Sequence, residues 1–394
     1  AHNETSQNRT PCIGVDPRVI CSLLGKWTPV HYGGFTMTVA RSQIVDLHVT
    51  SYYHCISRCV RRAHLCGKGF EHRKQWIEDR LEELAGIFAV SISGFAVLDN
   101  HLHVVLRLMG PKLTDSWSDR EVAQRWARLY PPRDRKRKVL PITEEWLKQK
   151  VENKRWIART RKRLTKLGWF MKCLKEPLAR MANAEDEVRG HFFEGRYKSI
   201  AILGKEALLA ECVYVDLNPV AAGMAQLPEE SEHTSLKARI DHCRKKKRMS
   251  ELRSAMEKTA AGITLGPTEA NRLEEQHWLC PFYGASEESS ANQEQETSSS
   301  FHGMFNRFSL AQYLQLVDWT SRLMREGKAN VSSQVSPILE RLGTNTEVWK
   351  ETFQQLFSKD RLLGVAFSFS RDRLREAAAH RGCHHMANLN GCRI

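Results

Sequence analysis

Val97-Leu98-Asp99-Asn100-His101-Leu102-His103-Val104-Val105-Leu106-Arg107 is the stretch whose reading decides the fold. From His101 onward the residue types alternate. Leu102, Val104, Leu106 and Leu108 fall on one face; His101, His103, Val105 and Arg107 fall on the other. Successive side chains of a strand point to opposite faces, so this pattern predicts a half-buried strand with its aliphatic face on a core. The other face sets two imidazoles side by side. Two such rings can place nitrogens on one divalent cation, for which histidine is a common ligand. Asp99 and Asn100 tolerate turn conformations and predict a tight connection from a preceding strand.

Working outward, the run Ser51–Arg62 is rich in aromatic and β-branched residues and predicts a strand. Glu71–Gly86 predicts an amphipathic helix, with Trp76, Ile77, Leu81 and Leu84 in helical spacing and Gly86 as a stop. Phe88–Leu98 predicts a second strand, and the histidine strand follows. Strand, helix, strand, strand is the first half of a ferredoxin-like α+β unit. His191–Leu203 predicts another strand, with Phe193, Tyr197, Ala201 and Leu203 on its apolar face and Glu194, Arg196 and Lys198 on the other.

Lys205–Leu217 predicts a helix, closed by Pro219. At 100° per residue its leucines and valines cover one broad side, while Ala207, Glu211, Tyr214 and Asn218 gather opposite. Tyr214 and Asn218 are one turn apart and therefore neighbours. Asp216 falls in the middle of the apolar side, where the helical wheel gives no account of it.

The 394-residue chain carries a formal charge of +15, and its hydrophobic fraction of 41% supports a real core. The pI is about 9.4, which favours a polyanionic partner, nucleic acid first. The basic residues cluster, at Arg133, Arg135, Lys136, Arg137 and Lys138 and again at Arg159, Arg161, Lys162 and Arg163. They lie in a region, 110–190, that is mostly helical by pattern and interleaved with Trp117, Trp126, Trp146, Trp156 and Trp169. Basic residues among aromatics suit a nucleic-acid backbone with base stacking; for most of these tryptophans, packing is the simpler role. Eleven scattered cysteines without a CxxC pair argue against a disulfide framework and a structural zinc site, and for a reducing compartment. No apolar run reaches the roughly 18 residues of a membrane span. The first residues lack signal-peptide character.

Organisation follows from composition. Residues 1–36 are a turn-rich leader, and Met37 is a candidate start. Residues 37–250 are the expected catalytic domain, with the basic helical insertion at 110–190. A polar linker is expected over 251–305, of low complexity at 284–300. A small helical module is expected over 306–394.

His101-Leu102-His103 after Leu98-Asp99-Asn100, the GRYKSI run at 195–200, and Tyr214-Val215-Asp216-Leu217-Asn218-Pro219-Val220-Ala221-Ala222-Gly223 together resemble the single-tyrosine HUH transposases. More closely, the chain resembles the REP-associated tyrosine transposases of the insertion-sequence-200-like superfamily. Tyr52–Arg58 also resembles that family's first strand, and the resemblance spans roughly 45–240. It implies a ferredoxin-like antiparallel sheet with helices, an HUH nuclease core, and Mg²⁺ or Mn²⁺ as cofactor. It implies single-stranded DNA with hairpin or palindromic repeats as substrate. His101 and His103 fall on the metal-binding pair, Asn218 on the third ligand and Tyr214 on the nucleophile. The basic groups expected along DNA are Arg107, Arg133, Arg135, Lys136, Arg137, Lys138, Arg161, Lys162, Arg163, Arg196 and Lys198. The usual proline before the Asn-His pair is Asp99 here.

The activity expected is metal-dependent nicking and joining of single-stranded DNA through a 5′-phosphotyrosine, in a cytoplasmic, bacterial protein that is nucleoid-associated when bound to DNA. One rival is a catalytically silent, domesticated DNA-binding protein of the same fold. Another is a metal hydrolase of small phosphoesters, which would want more carboxylates. Monomer or homodimer stays open.

Overall fold

The computed structural model describes residues 31–32, 35–36, 44–284, 303–326, 347, 349–350 and 366–380. Strands β1 (Tyr52–Arg58), β2 (Val90–Val97), β3 (His101–Leu108), β4 (Lys198–Ile202) and β5 (Ala366–Phe367) form one sheet in the order β2-β3-β1-β4-β5. Each neighbouring pair among the first four is antiparallel, and β5 lies parallel to β4. The order β4-β1-β3-β2 is the ferredoxin-like one, so the fold class is α+β as the sequence predicts. A two-residue strand pair at His31–Tyr32 and Phe35–Thr36 stands apart from this sheet. The rest of the leader, the low-complexity run 285–302 and most of 327–365 lie outside the described residues.

Helix α1 (His72–Ala85) fills the crossover between β1 and β2. Ile77, Leu81 and Leu84 recur at helical spacing and are buried with Leu102, Val104, Leu106 and Leu108 of β3. Burying each such side chain contributes about 1.5–3 kcal/mol. Five helices follow β3, as the pattern of 110–190 predicts: α2 (Gly110–Asp115), α3 (Asp119–Leu129), α4 (Glu144–Glu152), α5 (Lys154–Leu164) and α6 (Leu167–Glu185). The region is not wholly an addition to the fold. Phe170, Met171, Leu174 and Leu178 of α6 join α1 on the same sheet face, so α6 is the second crossover helix of the ferredoxin-like unit. Trp117 and Trp126 are buried, and Trp146, Trp156 and Trp169 pack against that core, which assigns them to packing.

The histidine strand is not half-buried. Its second face is covered by α7 (Lys205–Asp216), and the strand is buried on both sides from Leu102 to Leu106. Every residue of α7 from Ala207 to Asp216 is buried, because its two sides meet different partners. Gly94 permits the close approach: a Cβ there would come 3.2 Å from Ser235 Oγ and 4.0 Å from Cys212 Cα of α7. The short helix α8 (Asn218–Ala221) follows, with Pro219 in its first turn.

The expected linker boundary at 251 is incorrect. Helices α9 (Ser235–Lys245), α10 (Met249–Ala260) and α11 (Pro267–Arg272) lead without a break into buried Leu273, Leu279, Cys280 and Phe282. The described part of 306–394 is likewise no separate helical module. Helix α12 (Leu310–Glu326) shares one core with α7, α9 and α10, and β5 extends the main sheet through Ala201↔Ala366 and Ile202↔Phe367. Helix α13 (Arg371–His380) follows β5. Asp216, unexplained by the helical wheel, lies at this junction. Its carboxylate accepts hydrogen bonds from Ser235 Oγ at 2.6 Å, from Leu236 N at 3.0 Å, and from the Tyr313 hydroxyl of α12.

Candidate active site

The strand register assembles the site. His103 pairs with Ile56 and Val105 with His54, so His54, Ile56, His101 and His103 share the sheet face beneath α7. The His101 and His103 rings lie 4.8 Å apart between centroids, as residues two apart on one strand should. Tyr214 meets them from the helix, its ring edge-on at 5.7 Å from His103 and 6.1 Å from His54. The side of α7 carrying Glu211 and Tyr214 therefore faces the histidines of the sheet, and its leucines and valines share one core with other sheet residues and with α9, α10 and α12. Tyr214 is 8% exposed, His103 2% and Asn218 9%.

Asn218 sits one turn beyond Tyr214. Its amide donates to Tyr214 O at 3.4 Å, and its side chain lies close enough to His101 to favour the charged imidazole. The other contact of His101 is with its neighbour in sequence, Nδ1 to Asn100 Oδ1 at 2.6 Å. Burial, with the charge of Arg58 next, holds the His101 imidazole down at about 4 despite Asn218. His101 is therefore neutral at pH 7, the form a cation takes as ligand. The turn that aims this strand is anchored where the family resemblance departs from its usual proline. Asp99 pairs with Lys74 Nζ at 2.7 Å, and its carbonyl accepts Cys66 N at 2.8 Å.

Two residues of this cluster escape pattern reading. His54 Nε2 lies 2.8 Å from His103 Nδ1, and Glu211 Oε2 lies 2.8 Å from His54 Nδ1. The second contact is an ion pair by distance and not an aligned hydrogen bond. The helical wheel puts Glu211 on the Tyr214 side, which signals that it shares a face with the tyrosine. His54 carries a weaker signal: on a strand next to β3, even-numbered residues 54 and 56 share the face of His103 in this register.

Among the described residues, no three His, Cys, Asp or Glu side chains are grouped to hold a metal ion. The donor set brought together is instead His101, His103 and the Asn218 amide. Two imidazoles and an amide oxygen are chemically suited to a borderline divalent cation with open positions.

Arg58 pairs with His101, and Lys198 with Ile56, so both cations lie on the histidine face at the same end of the sheet. Burial, then the nearby Arg58 charge, lowers the Lys198 ammonium from its ordinary value. Nothing in the sequence pattern singles out Arg58. The remaining basic residues scatter. Arg107 lies over the Tyr52 ring at 5.6 Å. Arg133 closes a turn by donating to Arg137 O at 2.8 Å, and Arg135, Lys136, Arg137 and Lys138 are exposed on it. Arg161 is engaged within the protein. Its guanidinium holds Thr114 O, Trp117 O at 2.8 Å and Asp119 Oδ1 at 2.8 Å. Arg163 stacks on Trp126 and Trp169, at 5.4 and 4.4 Å, while Lys162 and Arg196 are exposed. Tyr197, the other tyrosine after the histidine strand, belongs to the core on the opposite sheet face.

No family model matches the chain, and no curated protein matches it. Among solved structures it is similar to a REP-associated tyrosine transposase bound to a REP hairpin, with a TM-score of 0.28 and 11% identity, over 47% of this chain and 76% of that one. At that TM-score the likeness bears no weight, and the strand order and site geometry stand by themselves. Among the described residues no helix is long and apolar enough to cross a membrane.

Proposed function

We propose that the protein is a single-strand DNA transposase or nickase that cuts and rejoins DNA near hairpins, with Tyr214 as nucleophile. The observation that carries this reading is the convergence of Tyr214, from α7, on the His101–His103 pair of β3, with Asn218 one turn on and bonded to Tyr214 O. A tyrosine hydroxyl, with a pKa of about 10, is a weak nucleophile unaided. Mg²⁺ or Mn²⁺, held by His101, His103 and Asn218, would supply polarisation of the scissile phosphate.

The chain's own residues do the rest. Arg58 and Lys198, at the open end of the histidine face, attract and orient a phosphodiester. The Tyr214 oxygen forms a bond to phosphorus, and the bond from phosphorus to the 3′-oxygen breaks. The products are a 5′-phosphotyrosine and a 3′-hydroxyl. Attack by a second 3′-hydroxyl reverses the step, and the phosphodiester energy is conserved in the protein linkage. Because Tyr214 is buried, α7 has to shift to admit the strand, a motion of the kind that gates many sites. The exposed turn at 135–138 offers further phosphate contacts.

Incubation of the full chain with end-labelled single-stranded hairpin DNA and Mn²⁺ tests the reading. A covalent protein–DNA adduct is expected. Cleavage without any adduct would favour attack by water, and binding without cleavage would favour a silent DNA-binding protein.

A further inference from the structure

We propose that the hairpin at 132–140 is a rigid basic wing that docks in the major groove of double-stranded DNA, the paired stem of a hairpin substrate. The proposal rests on the reading of the protein as one that cuts DNA near hairpins, and it names the element that grips the paired part.

The segment between α3 and α4 is a built hairpin and not a slack loop. Arg133 and Val139 form an antiparallel bridge. Asp134 N donates to Lys138 O at 3.0 Å, Arg137 N to Asp134 O at 2.9 Å and Leu140 N to Pro132 O at 2.8 Å. The Asp134 carboxylate accepts from Lys138 N at 2.8 Å, and the Arg133 guanidinium donates to Arg137 O at 2.8 Å. Pro131, Pro132 and Pro141 stiffen both arms. Arg120 of α3 clamps the base through two bonds of 2.7 Å to Glu144, the first residue of α4.

Every residue from Arg133 to Glu145 is exposed, so this order is not a by-product of packing. Arg137 sits at φ 65°, a left-handed position where such turns favour glycine. Backbone strain is accepted there, and a guanidinium is kept at the tip. Five cations, Arg133, Arg135, Lys136, Arg137 and Lys138, stand against one carboxylate, which is already turned onto Lys138 N. Beside them Val139, Leu140 and Ile142 hold aliphatic side chains in water, at 51%, 40% and 41% exposure. Cations alone would suit any phosphate backbone; the aliphatic groups need an apolar contact as well. The major groove of a duplex supplies both. At about 12 Å wide it admits a two-stranded ribbon, and it presents guanine O6 and N7 to arginine or lysine and thymine methyl groups to aliphatic side chains. An unpaired strand offers phosphates without a groove. Val139 and Leu140 are adjacent and point to opposite faces of the ribbon, so they are tested together.

Fluorescence anisotropy on the full chain in EDTA, where no metal-dependent cutting occurs, compares two DNAs. One is a pool of hairpins with randomised stems longer than a helical turn; the other is a homothymidine strand of equal length. The native protein should prefer the hairpin pool. Val139→Ser with Leu140→Ser should remove that preference and leave homothymidine binding and its salt dependence unchanged. Hairpin binding should weaken by about tenfold or more, since each methylene withdrawn from water contributes about fourfold. Dimethyl sulfate probing of a stem recovered from the bound fraction should show guanine N7 atoms protected by the native chain, and it decides the question if the variant does not fold. Equal binding of the two DNAs by the native protein, a folded variant that keeps the preference, or unprotected guanine N7 overturns the proposal. So does binding to phosphatidylglycerol vesicles that the variant loses while its hairpin binding is unchanged, which would assign the wing to an anionic membrane surface. A stem preference lost in the variant, in a protein that forms no DNA adduct with Mn²⁺, would remove the nuclease reading and leave the wing standing.

Discussion

Tyr313→Phe removes one oxygen from the junction between α12 and the tyrosine-bearing helix, and its effect can be worked out from the contacts. Asp216 is 1% exposed and Tyr313 0%. The carboxylate has three donors, Ser235 Oγ, Leu236 N and Tyr313 Oη. The variant keeps the ring, which stacks on Phe282 at 4.1 Å, so little packing is lost. What goes is one hydrogen bond to a charged, buried group, about 1.5–3 kcal/mol. Burial is the first cause that holds the Asp216 carboxyl above its ordinary value, and the bonds from Ser235 and Tyr313 oppose it. A carboxyl raised on folding contributes stability that is complete below the unfolded value of about 3.9 and is lost as pH rises through the folded value. Deleting a bond that favours the ionised form therefore costs more at pH 8 than at pH 4, close to the unfolded value. Urea unfolding followed by circular dichroism at both pH values measures it, in the native background and in Asp216→Asn. We expect a loss of about 2 kcal/mol at pH 8 in the native background, and under about 1 kcal/mol in the Asp216→Asn background. A loss below about 0.5 kcal/mol at pH 8, or equal losses in both backgrounds, would refute the reasoning.

Other outcomes follow from the same contacts. Ending the chain at residue 284 removes β5 and Tyr313, so the truncated protein should be markedly less stable and bind a dye for exposed apolar surface; a native-like unfolding curve would return the tail to a separate unit. Neutralising Lys136 and Lys138 should flatten the salt dependence of single-stranded DNA binding, since fewer counterions are released, and an unchanged slope would make that turn merely solvated. Arg161→Ala should instead lower stability by about 1.5–3 kcal/mol, because three acceptors lose a charged donor, and leave the salt slope unchanged.

The sheet was legible because its strands obey local rules. The alternation from His101 to Leu108 is a property of eight consecutive residues, and the Ile77–Leu81–Leu84 stripe of one helix. What pattern could not supply was the partner of each face. Arg107 and the two histidines looked solvent-facing because the covering helix comes about a hundred residues later. Helix α7 looked amphipathic, yet its polar side covers the histidines, and its apolar residues share a core that also takes in segments beyond residue 235. Asp216 and His54 are explained only by residues distant in sequence, Tyr313 for one and His103 with Glu211 for the other. Polar composition misled at 251–284, where few but well-spaced apolar residues suffice to reach the core. Charge count could not show that the Arg161 guanidinium serves the protein's own carbonyls.

The identity of the tyrosine tests the central claim most directly. Tyr214 stands on the histidine face, and Tyr197 is packed in the core on the other side of the sheet. The measurement is mass-spectrometric mapping of the protein–DNA adduct formed with single-stranded hairpin DNA and Mn²⁺, on the native chain, Tyr214→Phe and Tyr197→Phe. The account predicts a phosphonucleotide on Tyr214 in the native and Tyr197→Phe proteins, and no adduct in Tyr214→Phe while DNA binding is retained. An adduct mapped to Tyr197, or undiminished adduct formation by Tyr214→Phe, would contradict it.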